Sequence, residues 1–545
     1  MVKWEHIKAR KRVQDMLREE ERQQSFYSSL YERIPQDHIL RRIAGAVDFS
    51  FANKLLEGSY CKKFGRPAKE PEQMLKLLFL EYLYGLSDKK VIEEASVNLA
   101  FLWFLGLNPE DKLPDASLLA KFRRYRLQDF SLDEVITEIL RQCVESGLVK
   151  GSGISVDSTH IEAALKRKVP ERIMRKLTRR ILKGLQKDNG HVDASVSTSI
   201  PDYTKIEDPK EARAVMKAFL ERTIEASEPF AGERTRHAIE EAREVLSDEK
   251  FLLQKGIRSL ADKDARVGRK SRDTSFYGYK MEYTMTTEEK LIAAVEVQSG
   301  EYVDGTQFNE LLDKTQAGGI TVGEVYADKA YFKAGILERI EQDGAQAYIP
   351  VSHAAYRIDE EKFRYNKDSD QWFCWMGNET VSCKRLTRSR KGVEYPLLQY
   401  TFDKQQCASC KHRAECMGKS KTKARKLEVS LNTAQLYEAS QRQKSEEFLT
   451  KYKKRAAQES KNAEMKRFHG LARARGYGLL GVTQQAKLTA IAVNLKRIAA
   501  LVKEKGQKHG AKKTAFLTLK RLAAAVQDIF AFARQRRLSI YFLVT

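Results

Sequence analysis

The sequence predicts an α/β protein: a mixed-sheet core preceded by a helical region and interrupted by a helical and a β-rich insertion. Three observations carry that reading. Short β-rich runs lead to Asp157 and to Asp328, and two more β-type runs lie between them around a polar turn. Charged stretches without β pattern separate these runs. Late in the chain, KYKKRAAQESKNAEMKRFHG reads as one helix, because no Gly or Pro interrupts Lys451 to His469 and Ala, Glu, Lys and Arg are good helix formers.

Residues 1–150 read as mostly helical. PEQMLKLLFLEYLYGLSDKKVIEEASVNLAFLWFLGL alternates apolar faces around a Gly85-Leu-Ser break, which predicts consecutive helices. A further helix follows PDASLLAKFRRYR, where Asp115 or Ser117 can cap a segment carrying Lys121, Arg123, Arg124 and Arg126. Short helices with a basic member suit docking in a nucleic-acid groove, and a dimerisation or packing domain fits the same pattern.

Residues 151–345 form the first part of the core. In GSGISVDSTHIEA, Ile154 and Val156 predict a short buried strand ending at Asp157, with Ser158 and Thr159 just beyond it. A charged helical insertion follows over about 165–258. GYKMEYTMTTEEKLIAAVEVQSG then predicts a hairpin turning at Thr286–Lys290, and Thr306 to Thr315 a helix. Ile320, Val322, Val325 and Tyr326 deliver Asp328 to a second strand end; Asp264 and Asp304 read as turn or cap residues.

Alternating aromatics in FRYNKDSDQWFCWMG and YPLLQYTF make 346–445 a β-rich insertion. It holds Cys374, Cys383, Cys407, Cys410 and Cys416. The C-x2-C pair Cys407 and Cys410, with Cys416 and one of the earlier two, could complete a tetrahedral Zn²⁺ site. Cys61 and Cys143 stand alone in apolar helices and read as packing residues. Residues 446–503 carry the last core helices, where Leu488, Ile491, Leu495, Ile498 and Leu501 form a face expected to pack on the sheet, and 504–545 is a basic tail.

On the late helix, a seven-residue step closes to within about 20° of two turns, so Tyr452, Glu459 and Lys466 align, with Arg455 one turn before Glu459. Cations flanking a carboxylate suit a metal-dependent enzyme acting on phosphate. Glu464 is about 140° around the helix and shares no face with Arg455 and Lys466. Lys461, about 200° around, is expected to be silent. Taken singly, each Asp is an ordinary turn or cap residue and Glu459 a solvated helix glutamate. Their order and the four-residue pattern are what join them.

This spacing, Y-x2-R-x3-E-x6-K, resembles the YREK signature of bacterial DDE insertion-sequence transposases, and Asp328 to Tyr331 resembles their D-x-x-Y pattern. The resemblance implies an RNase H-like catalytic core in which Asp157, Asp328 and Glu459, 171 and 131 residues apart, meet as a triad holding two Mg²⁺ or Mn²⁺ ions. It implies cleavage at element ends and strand transfer into target DNA. Tyr452 would lie against DNA, Arg455 and Lys466 would clamp phosphates, and the helical domain with Lys121, Arg123 and Arg124 would bind terminal inverted repeats. A homodimer on paired ends is expected. A nuclease or resolvase of the same fold that cuts without joining, and a catalytically dead transposase-derived DNA-binding protein, fit the same residues.

Composition agrees with a polyanionic partner. The chain carries 98 Lys and Arg against 74 Asp and Glu, a net charge of +24, and residues 451–545 alone hold 22 basic and 4 acidic residues. No apolar run approaches the roughly 18 residues of a membrane span. The charged N-terminus reads as a helix rather than a signal peptide, so the expected location is the bacterial cytoplasm, at the nucleoid, with reduced cysteines.

Overall fold

A computed structural model describes residues 26–60, 68–127, 131–271, 273–353, 355–390, 392–418 and 422–507. Cys61 and most of the basic tail lie outside the described residues. The chain divides into two compact units, Met1–Lys150 with Lys487–Thr545, and Gly151–Ala486. Among the described residues no helix is long and apolar enough to cross a membrane.

The first unit is helical. Pro71 opens the helix Pro71–Tyr84, and Gly85, at φ 67°, closes it in the left-handed conformation that a side chain would disfavour. Ser87 then caps Asp88–Val97, and Asn98 caps Leu99–Leu105 by accepting from the amides of Ala100 and Phe101. The basic helix is Ser117–Tyr125, and Asp115 accepts from the Ser117 amide as expected. The long helix over 479–507 is buried on nearly every side from 484 to 495. From Lys487 it groups with the N-terminal helices: Lys487 is buried and paired with Asp133 at 2.8 Å, and the Ala499 carbonyl accepts from Arg42. From Lys487 on, the helix that the sequence reading expected on the sheet belongs to the helical unit.

The second unit is mixed α/β. Its main sheet holds β1 (Gly153–Glu162), β2 (Arg266–Arg269), β3 (Ser275–Thr286), β4 (Ile292–Ser299), β5 (Glu324–Tyr326) and β6 (Gln346–Tyr348). β1 is internal, antiparallel to β3 and parallel to β5, with β6 parallel beyond β5 and β4 antiparallel on β3. β1 does not end at Asp157. It runs five residues further, because the twelve-residue β3 offers partners as far as Gly278, and Thr159 and Ile161 remain buried. The strands crowd at Gly278, at φ 156°, where a Cβ would lie 2.1 Å from the Ile161 carbonyl oxygen.

The expected helical insertion is three helices, Pro170–Asn189, Pro209–Ser227 and Glu233–Ser247, around their own core of Ile173, Leu177, Ile181, Met216, Leu220 and Ile239. Its two ends are tied together: the Lys168 amide donates to the Arg258 carbonyl at 2.9 Å, and Arg258 Nε returns to the Lys168 carbonyl at 2.5 Å. The hairpin turns between β3 and β4, and the helix after it spans Phe308–Ala317.

The second insertion is β-rich, as expected. β7 (Phe363–Asn366) pairs with β8 (Gln371–Cys374), and β9 (Thr380–Arg390), β10 (Val393–Phe402) and β11 (Lys426–Val429) form a separate sheet. Trp372, Tyr400, Phe402 and Leu427 build its core. The chain returns to the main sheet through helices Thr433–Gln443, Glu446–Tyr452 and Ala457–Phe468.

Candidate active site

Ser155 and Asp157 alternate along β1, and Asp157 lies opposite Tyr283 of β3, so the three side chains share one sheet face. Helix Ala457–Phe468 covers that face through polar contacts. Gln458 Nε2 donates to Ser155 Oγ at 2.8 Å. The Tyr283 hydroxyl donates to Asn462 Oδ1 at 3.0 Å, and Asn462 Nδ2 donates to Asp157 Oδ2 at 3.0 Å. Asp157 is 8% exposed. Burial foremost, and the negative charge of Asp328, push its carboxyl up to about 6 against the opposing pull of Arg455, the Ser158 amide and Asn462.

Asp328 follows β5 by two residues and opens the 3-10 turn Lys329–Tyr331, its carboxylate accepting from the Ala330 amide at 2.8 Å. Tyr331 of the same turn is buried, with its hydroxyl 3.4 Å from Glu282 Oε1, which also accepts from the Gly305 amide. Glu459 lies in the first turn of its helix and is exposed.

The late segment is not one helix. A 3-10 turn, Lys453–Ala456, separates Glu446–Tyr452 from Ala457–Phe468. At about 120° per residue in place of 100°, the four residues of that turn add about 80° of twist between Tyr452 and Glu459, so Tyr452 leaves the α-helical stripe of Glu459 and Lys466, and Arg455, inside the turn, shifts by about 40°. Tertiary contacts override good helix propensity here. Lys451 and Lys454 reach Glu324 of β5 at 2.7 and 3.5 Å, and Arg455 Nη2 lies 3.6 Å from Asp157 Oδ1.

Arg455 nevertheless joins what the broken stripe does not. Burial alone would lower its pKa; Asp157 first, with Tyr452 beside it and the charges of Asp328 and Glu459, outweighs that and raises it. Of the three candidate carboxylates, Asp157 is the one at ion-pair range, 3.6 Å away. Tyr452 stacks on Phe448, with centroids 5.7 Å apart and planes within 16°, and so packs beside Tyr326 and Tyr348.

Lys466 Nζ lies 3.3 Å from His160 Nδ1. Burial and then the charges of Lys466, Lys270 and Lys280 hold His160 down to about 4, while burial and Lys270 lower Lys466 to about 8. Lys461, expected to be silent, is buried, 6% exposed, and pairs with Glu464 at 3.0 Å. In the helical unit Lys121 and Arg124 are exposed, but Arg123 is drawn into ion pairs with Glu81 at 2.9 Å and Asp88 at 2.5 Å. Asn462, Tyr283, Gln458 and His160 escaped the sequence reading. Only Asn462 carried a signal, standing three residues after Glu459 on the same side of the helix.

Oxygen donors from Asp157, Asp328 and Glu459 suit a hard divalent cation, and the raised pKa of Asp157 marks a buried carboxylate short of positive charge. Among the described residues, no three His, Cys, Asp or Glu side chains already form a metal-holding group; Arg455 stands beside Asp157.

Residues 28–125 match the family "Transposase domain (DUF772)", and residues 373–499 match "Transposase DDE domain". The second stretch includes Tyr452, Arg455, Glu459 and Lys466; Asp157 and Asp328 lie outside both. Both stretches are thus similar to transposase families, and the chain's resemblance to DDE insertion-sequence transposases holds. It is 26% identical over 125 residues to "Uncharacterized protein ORF8 in nfe locus" of Rhizobium meliloti, 22% of this chain and 59% of that protein's length. The structure "piggyBac transposase synaptic complex with hairpin DNA" aligns over 89% of this chain and 77% of its own at 10% identity, with a TM-score of 0.29, too slight a likeness to bear on the fold.

Proposed function

We propose that this protein is a DNA transposase that cleaves element ends and joins them to target DNA, with Asp157, Asp328 and Glu459 as the triad of an RNase H-like core. What supports this is the helix bearing Glu459, which packs on the Asp157 face of the sheet, with Asn462 donating to Asp157 Oδ2 at 3.0 Å and Arg455 3.6 Å from Asp157 Oδ1. Two Mg²⁺ or Mn²⁺ ions, when bound, would activate water or a 3′-hydroxyl and stabilise the leaving oxygen.

The chain's own groups do the rest. Asn462 and Tyr283 orient the Asp157 carboxylate, and the Ala330 amide orients that of Asp328. Arg455 neutralises the acids in the absence of metal and turns to a phosphate oxygen when DNA is bound. Lys466, poised beside a neutral His160, offers a second cation to the backbone. Lys121 and Arg124, exposed on their helix, serve the terminal inverted repeats, with two copies pairing the ends. The protein would act on the bacterial nucleoid in the cytoplasm.

Asp157→Ala, Asp328→Ala and Glu459→Ala should each abolish end cleavage and strand transfer while leaving DNA affinity within about threefold, since binding rests on the basic surface. Cleavage within tenfold of wild type in Glu459→Ala would sink the triad. Glu464→Gln is the matched control. Cutting without joining of a pre-cleaved end would identify a nuclease.

A further inference from the structure

Outside the acidic site, the most pointed cluster of reactive side chains lies in the β-rich insertion. Cys374 at the end of β8, Cys407 in the helix Lys404–Ala408, Cys410 after it and Cys416 in the helix Arg413–Met417 line one small cavity of about 30 Å³. Cys383, equally available by sequence, is exposed on β9 opposite Tyr400 and does not line the cavity.

We infer that Cys374, Cys407, Cys410 and Cys416 form a structural Zn²⁺ site. Four thiolates are a closed tetrahedral donor set for zinc, with no position left for catalysis. They would leave a net charge of −2 around the ion, and two cations line the same cavity to offset it. Arg413 donates to the Cys407 carbonyl at 3.0 Å and Arg425 to the Cys416 carbonyl at 3.1 Å, so each guanidinium is fixed beside a ligand-bearing turn. Arg425 Nε is buried without a hydrogen-bond partner, and a thiolate in the cavity would supply one. The sulfurs do not yet stand within shared ligand distance. A change of χ1 well moves a Cys sulfur by about 3 Å, so rotamer changes can gather them without refolding the backbone. Zinc would then clamp β8 to the two short helices at the edge of the aromatic core, against which Cys374, Cys407 and Cys416 pack.

The test is metal analysis of the full chain, purified reduced and without chelator. About one zinc per chain is expected, lost in Cys374→Ser and Cys410→Ser and retained in Cys383→Ser. Cobalt titration of the metal-stripped wild-type chain keeps the test independent of whether the serine variants fold, and it should give thiolate charge-transfer absorption at one equivalent. Absence of both zinc and the cobalt signal in the wild-type chain overturns the site. Loss of zinc in Cys383→Ser as complete as in Cys374→Ser overturns the choice of ligands.

Discussion

Asn462 is the hinge of the proposed catalytic geometry, and Asn462→Ala is the sharpest way to probe it. Its amide accepts from the Tyr283 hydroxyl and donates to Asp157, both at 3.0 Å. Tyr283 is fully buried and Asp157 nearly so, so water replaces neither bond easily. Each orphaned group costs about 1–3 kcal/mol. The Gln458 carbonyl, 3.5 Å from the Tyr283 hydroxyl, recovers part of one, which leaves about 2–4 kcal/mol lost in all. Tyr283→Phe removes one bond and its donor together and should cost about 1 kcal/mol. Because the two changes delete the same Tyr283–Asn462 bond, the double variant should be more stable than the sum of the singles by about 1 kcal/mol. Urea unfolding of the four proteins measures this. Single-turnover cleavage of an element end should fall about tenfold to a hundredfold in Asn462→Ala, since Asp157 loses its orienting donor. Additivity within about 0.3 kcal/mol, or wild-type cleavage in Asn462→Ala, would refute the bridging role.

Two further outcomes follow from the same face of the sheet. Lys466→Ala should lower the salt slope of DNA binding by about one, as for one lost phosphate contact, whereas buried Lys461→Ala should leave that slope unchanged and destabilise the fold by about 1–3 kcal/mol; binding isotherms at several salt concentrations, with thermal melts, separate the two. His160 is held down to about 4 by burial and by Lys466, Lys270 and Lys280. Between there and its ordinary value of about 6.5, the unfolded chain binds the extra proton, so stability rises with pH across that window and is lost as pH falls through it. His160→Gln should flatten this rise by about one proton, and equal slopes in both proteins would show that His160 does not titrate against folding.

Much of this was readable in the sequence because it rests on local pattern. The hairpin, the helical character of the first insertion, the β-rich second insertion and the break at Gly85 all depend on periodicity and turn residues, which act over a few positions. The strands that carry or precede Asp157 and Asp328 were read the same way, from their β-rich runs. What was not readable depends on partners distant in sequence. The extension of β1 is decided by β3, more than a hundred residues on. The 3-10 break sets Lys454 against Glu324 and Arg455 against Asp157, partners more than a hundred residues away in the chain. Arg123 looks like a surface cation until Glu81 and Asp88 meet it, and Lys461 looks solvated until the helix packs. Asn462 is invisible without the strand it touches.

The clamp between Lys168 and Arg258 has a consequence for how such genes diverge. An insertion whose ends meet through one backbone hydrogen bond and one from the Arg258 side chain, and which fills its own core, closes on itself as a module. The closure entropy of a loop grows only with the logarithm of its length, so relatives could carry a longer helical module, a shorter one or none, with the sheet unchanged beneath it. The interval of 171 residues between the first two acids is then an accident of ancestry, not a constraint of chemistry. A search that recognises such proteins by the distance between their acids would lose kin whose sites are identical. One that reads the residues flanking each acid would keep them.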